Sequence, residues 1–130
     1  MTTDLMMLVW TAVLCLLIPS IYLTGRMRTR GGMEWAMGNR AEPLAVPEWA
    51  ARAQRAHLNL VENLAPFAIL VLVAHVSGKA NAWTALGAQI FFWGRVAHVA
   101  VYTAGITGLR TAVFFVATAG GLLILLQLFR

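Results

Sequence analysis

From Leu5 to Leu23 the chain runs nineteen residues without an Asp, Glu, Lys, Arg or His. That is close to the roughly 20 apolar residues a helix needs to cross about 30 Å of hydrocarbon. Three further stretches of similar character follow, at about Pro47 to Ser77, Asn81 to Ala104 and Arg110 to Phe129, and with short connections they fill the 130 residues. Hydrophobic residues make up 60% of the chain and charged ones 12%, which lies outside the soluble balance. The expectation is an all-α, multi-pass integral membrane protein, one domain over 1–130, built as a four-transmembrane-helix bundle. The first run is longer than the apolar core of a secretory signal. Asp4 precedes it instead of a basic cluster, and no small-residue cleavage site follows, so it is expected to remain as the first span.

The connection "GRMRTRGGMEWAMGNRAEPLAVPEW" gathers Gly, Pro and four of the nine arginines, and reads as an extramembrane loop. Pro47 suits the first turn of the next helix and Glu48 complements its dipole. That helix, with Gly78 as its C-terminal cap and Pro66 as a kink, takes 31 residues or roughly 46 Å, more than the hydrocarbon thickness. Its first turns must tilt, protrude or line a wet cavity. "GITG" turns the chain before the last span. With four spans, the loops at 26–47 and 105–110 share one side and carry Arg26, Arg28, Arg30, Arg40 and, at their edges, Arg52 and Arg110. The positive-inside rule makes those loops cytoplasmic and puts both termini opposite, in a bacterial inner membrane or an endomembrane. The net charge is +5, but no aromatic-basic motif accompanies it, so headgroups and small anions are the expected partners and nucleic acid is not.

The second helix carries charge where lipid tolerates little. Arg52, Arg55, Asn59 and Glu62 follow spacings of 3, 4 and 3 and share one helix face, while His57 points elsewhere. In the third span Arg95, His98 and Tyr102, spaced 3 and 4, repeat the device. A charge at mid-bilayer costs about 2.5 to 3.5 kcal/mol, so Arg95 and Glu62 must face each other or a ligand. An Arg95 to Glu62 ion pair that sets helix register is one reading. Arg28, Arg55, Arg95 and Arg110 outnumber the single embedded acid, however, and a cationic cavity left over asks for an anion held by forked guanidinium groups.

Other residues carry less. Cys15 is the lone cysteine and has no charged neighbour in sequence, so it reads as packing. His75 sits at the interface. Trp10, Trp35, Trp49 and Trp83 read as interface anchors and Trp93 as a packed side chain. Gly120 and Gly121 allow close helix approach. His57 and His98, on different helices with one acid, make no metal-ligand pattern, and none is expected.

"RAHLNLVENLAPF" at 55–67 together with "GRVAHVAVY" at 94–102 resembles the membrane-associated eicosanoid and glutathione metabolism family, and most closely its microsomal glutathione transferase 1 branch. The leukotriene synthase branch has Gln for His57 and Tyr for Asn63. The resemblance extends over essentially the whole chain. It implies a homotrimer of four-helix bundles with glutathione bound between subunits near the cytosolic face. It implies that Arg28, Arg55, Asn59, Glu62, Arg95, His98 and Tyr102 contact glutathione, and that Arg110, with Tyr102, acts catalytically by steadying its thiolate. Glutathione brings two carboxylates for the arginines and one ammonium for Glu62.

The chain departs from the family pattern by one residue fewer between Tyr102 and Arg110. Leu58 stands where the prostaglandin E synthase branch has Arg, Asn39 or Glu42 where its first loop has Asp, and Phe114 where it has Tyr, which argues against prostaglandin isomerase chemistry. The expectation is a glutathione transferase or peroxidase that acts on lipophilic electrophiles or lipid hydroperoxides, with glutathione or a related small thiol as co-substrate and no metal. A non-catalytic lipid- or thiol-binding scaffold on the same fold is the alternative. A small proton-coupled exporter would need an acid within the first span, and that span has none.

Overall fold

A computed structural model describes all 130 residues. Its elements are α1 (Thr3–Met27), α2 (Gly32–Met37), α3 (Glu48–Val76), α4 (Ala82–Ala104) and α5 (Thr107–Leu128). Helices α1, α3 and α5 are long and apolar enough to cross a membrane. The segment expected as the third span is a helix, α4, whose 23 residues are close to the others in length, but it is not among the helices apolar enough to cross. It falls short of them in apolar character because Thr84, Gln89, Arg95, His98 and Thr103 dilute it. The first loop differs from expectation in holding α2, six residues with no side-chain cap, entered through Gly31 at φ 75°. Helix α1 stays helical through Pro19, and α3 through Pro66.

The helix ends follow from local chemistry. Asn81 caps α4, accepting from the Trp83 and Thr84 amides while its own amide donates to Thr84 Oγ1, a reciprocal capping box. Helix α4 ends where Gly105 takes φ 84°, with Ile106 N–H donating to Val101 O and Gly105 N–H to Tyr102 O, so the last carbonyls are satisfied. The same pattern ends α3, where Lys79 N–H donates to Ala74 O and Gly78 N–H to His75 O.

Lipid tails solvate leucine as well as a neighbouring helix does, so association in a membrane rests on close packing. A Cβ on Gly87 would lie 2.6 Å from Gly120 O, and one on Gly120 would lie 2.6 Å from Phe91 N, so the α4 and α5 backbones nearly touch there. Beside this seam Phe67 of α3 stacks on Phe91 of α4 at 3.8 Å between ring centroids, within a cluster completed by Val71, Ala74, Ala88 and Ile124. A second cluster, Ile18, Ala56, Leu60 and Val99, joins α1, α3 and α4.

Only 24 of the 130 residues are buried, and Leu16, Leu17, Ile69, Phe115 and Leu126 face outward, so the outer wall is itself apolar. Trp93, expected to pack inside, is 63% exposed and touches only Phe92 edge-on among the aromatic rings. Arg52 Nε donates to Thr103 O, which brings the start of α3 to the end of α4. Thr2 Oγ1 lies 3.2 Å from His75 Nε2, and Lys79 Nζ donates to Leu128 O, which brings both termini to the opposite end.

Candidate functional site

The polar seams of α3 and α4 meet only in part. Arg95 is 1% exposed, and its Nη1 donates to Asn59 Oδ1 at 2.8 Å. Its guanidinium lies between the Phe91 and Phe114 rings, 5.0 and 5.2 Å from their centroids. The ion pair with Glu62, one of the two readings of the sequence, is not formed. Glu62 is exposed, and the one ion pair in the chain joins Arg52 to Glu48 at 3.2 Å. The reason is geometric: Asn59 and Glu62 share a helix face, but it is the shorter Asn59 that reaches Arg95, while Glu62 is directed out of the single chain.

Arg95 is left with Nε and Nη2 unpaired although both are buried, and the neighbouring His98, 3% exposed, has an unpaired Nδ1. Each such orphan costs about 1 to 3 kcal/mol, more for a charged group, so these donors and this ring nitrogen have hydrogen-bonding capacity that the chain itself does not use. His98 meets Tyr102 edge-on at 5.4 Å, and the Arg110 guanidinium lies over the Tyr102 ring at 4.7 Å. These side chains border a cavity of about 210 Å³ lined by Asn59, His98, Tyr102, Arg110, Thr111, Phe114 and Phe115.

Five of the residues singled out in the sequence therefore gather: Asn59, His98, Tyr102 and Arg110 on the cavity wall, and Arg95 behind Asn59. Three do not join them. Arg28 follows α1 as its cap residue, and Arg28, Arg55 and Glu62 are all exposed on the single chain. Thr111, Phe114 and Phe115 line the cavity too. Their signal was the spacing 1, 4 and 5 from Arg110 along α5, which an apolar helix conceals. Arg52, aligned with the seam in sequence, is a tie between α3 and α4 instead.

One wall is cationic and hydrogen-bonding and the other aromatic, inside a bundle of helices built for a membrane. That combination, in a chain with three helices long and apolar enough to cross a membrane, marks an integral membrane protein with a polar cavity among its helices. A family model for the MAPEG family matches residues 6–130, and the chain belongs to that family. No curated protein and no solved structure matches the chain.

Proposed function

We propose that this chain is a four-span membrane enzyme, assembled as a homotrimer, that binds glutathione or a closely related small thiol and directs its sulfur at lipophilic electrophiles or lipid hydroperoxides. The observation that carries the reading is Arg95, a buried guanidinium with two nitrogens unpaired, bonded to Asn59, which lines the cavity together with Arg110. The MAPEG family includes glutathione transferases and peroxidases as well as non-catalytic members. Arg95 and Arg55, with Arg28, suit the two carboxylates of glutathione, Glu62 its ammonium, and Asn59 and His98 its amide groups. The thiol then lies toward Arg110 and Tyr102. A free thiol has a pKa of about 8.5 and its thiolate is the nucleophile, so a guanidinium beside the sulfur raises the reactive fraction at neutral pH. In conjugation the thiolate forms a carbon–sulfur bond and displaces a leaving group. In peroxide reduction two thiols become one disulfide while the hydroperoxide becomes an alcohol and water.

The trimer is supported by Arg55 and Glu62, which stand exposed on an apolar helix. Facing lipid, Glu62 at mid-helix costs about 2.5 to 3.5 kcal/mol and Arg55, nearer the start of α3, costs less, a burden removed if a second copy and the shared thiol cover them. Loops 26–47 and 105–110, which together hold five of the nine arginines, are then cytoplasmic and both termini lie opposite. Calorimetric titration of the purified protein with glutathione and with other low-molecular-weight thiols tests binding, and conjugation to 1-chloro-2,4-dinitrobenzene tests chemistry. Saturable glutathione binding with turnover is expected. Binding without turnover assigns the scaffold role, and no binding overturns the proposal.

A further inference from the structure

A second polar cluster lies on the opposite face of α3. His57 and Asn59 are two residues apart, so their side chains leave the helix about 200° from each other. His57 Nε2 lies 3.6 Å from Cys15 Sγ and its Nδ1 lies 3.3 Å from Tyr22 Oη, both on α1. The Tyr22 ring is in turn covered by the Arg26 guanidinium at 5.0 Å, and Arg26 Nη2 donates to Gln54 Oε1 at 2.7 Å. None of these residues lines the cavity beside Arg110.

From the sequence Cys15 has no activating neighbour; the fold supplies one from 42 positions away. In the tautomer that leaves Nε2 free to accept, the Cys15 S–H donates to Nε2, and Nδ1–H donates to Tyr22 Oη, which fixes the ring. A nucleophile, an adjacent base and a third group that orients the base form the signature of an activated nucleophile. We propose that Cys15 is a reactive thiol assisted by His57, and that it takes apolar, membrane-dissolved electrophiles of the conjugated-carbonyl class. In the step, the S–H proton passes to His57 Nε2, sulfur adds to the β-carbon and forms the carbon–sulfur bond, and the resulting enolate takes that proton back from the imidazolium at its α-carbon.

The reagent class follows from position. Cys15 is the middle residue of the 25-residue α1, about 18 Å from either end. It is partly exposed, and its neighbours Leu16 and Leu17 face outward, 79% and 59% exposed. An electrophile must therefore arrive through the hydrocarbon, which admits apolar molecules and excludes charged ones.

Because the chain has one cysteine, the intact mass of the full-length protein reports adduct formation at this site alone. The protein in lipid vesicles is treated at neutral pH with N-ethylmaleimide or with a sulfonated maleimide. One adduct per chain is expected from the apolar reagent, at least tenfold faster than from the charged one. The His57→Ala substitution slows labelling about a hundredfold, the lower end of the range for loss of a positioned base, and added imidazole restores part of the rate. Tyr22→Phe, which keeps the ring, slows it several-fold and serves where His57→Ala does not fold. Equal rates in wild type and His57→Ala, or in wild type and Tyr22→Phe where that variant must serve, overturn the proposal. So does an absence of adduct, or labelling by both reagents at one rate.

Discussion

Asp4, at the Asn81 end of the bundle, is 2% exposed, and Arg95, toward the Arg110 end, is 1% exposed, yet their surroundings differ. Asp4 accepts from the Leu5 amide, from Thr2 Oγ1 and from Thr84 Oγ1, so it joins the start of α1 to the capped start of α4. Its negative charge also sits in the first turn of α1, where the helix dipole favours it. Arg95 has one partner, Asn59, and two unpaired nitrogens. A buried charge whose hydrogen bonds close within the chain supports the fold. One whose hydrogen bonds stay open costs stability, and binding a complementary group recovers that cost. The two ends should therefore respond oppositely to mutation.

The largest effect is expected at Arg95. Arg95→Leu should weaken glutathione binding by about 2 to 5 kcal/mol, the scale for truncating one partner of a buried charge pair, while leaving thermal stability in detergent nearly unchanged. A lower melting temperature with unchanged affinity would place Arg95 with the structural group. Arg55, exposed on the single chain, should matter less: Arg55→Ala is expected to cost about 1.5 to 3 kcal/mol of glutathione affinity, measured by the same titration, with the oligomer intact by size-exclusion light scattering. At the opposite end, Asp4→Ala should lower stability by about 1 to 2 kcal/mol, as for loss of a helix-start acceptor, and leave thiol affinity where it was. Altered affinity in Asp4→Ala would dissolve the distinction between the two ends.

Much of the fold was legible because apolar length and capping chemistry act locally. The first span, read from the apolar run Leu5 to Leu23, is α1 at Thr3–Met27, and the second, read to Ser77, is α3 ending at Val76 with Gly78 just beyond. The 3 and 4 spacing of Arg95, His98 and Tyr102 also translated directly, since one helix face carries all three toward α5. What did not translate depends on distances between helices. Charge complementarity offered Glu62 as one partner for Arg95, and only the packed register shows Asn59 at 2.8 Å. Trp93 is an ordinary apolar residue by type, so nothing in its neighbours said that it faces outward. Cys15 and His57 meet across α1 and α3 from 42 residues apart, beyond any local pattern. Helix α2 is too short, and too closely flanked by glycines, to leave a periodicity.

On the proposed function, the Arg110 end of the bundle binds a thiol and activates it, with Arg110 over Tyr102 the place of activation. Bound-thiolate ultraviolet absorbance and the conjugation rate, followed against pH for wild type and Arg110→Ala at saturating glutathione, test it most directly. The expected result is a thiolate titration displaced to higher pH in the variant and a neutral-pH rate lower by about tenfold, corresponding to ~1.4 kcal/mol of transition-state stabilisation, with affinity much less affected. Raising the pH should recover part of that rate. Superimposable profiles for the two proteins would contradict the claim and leave Arg110 an interfacial anchor.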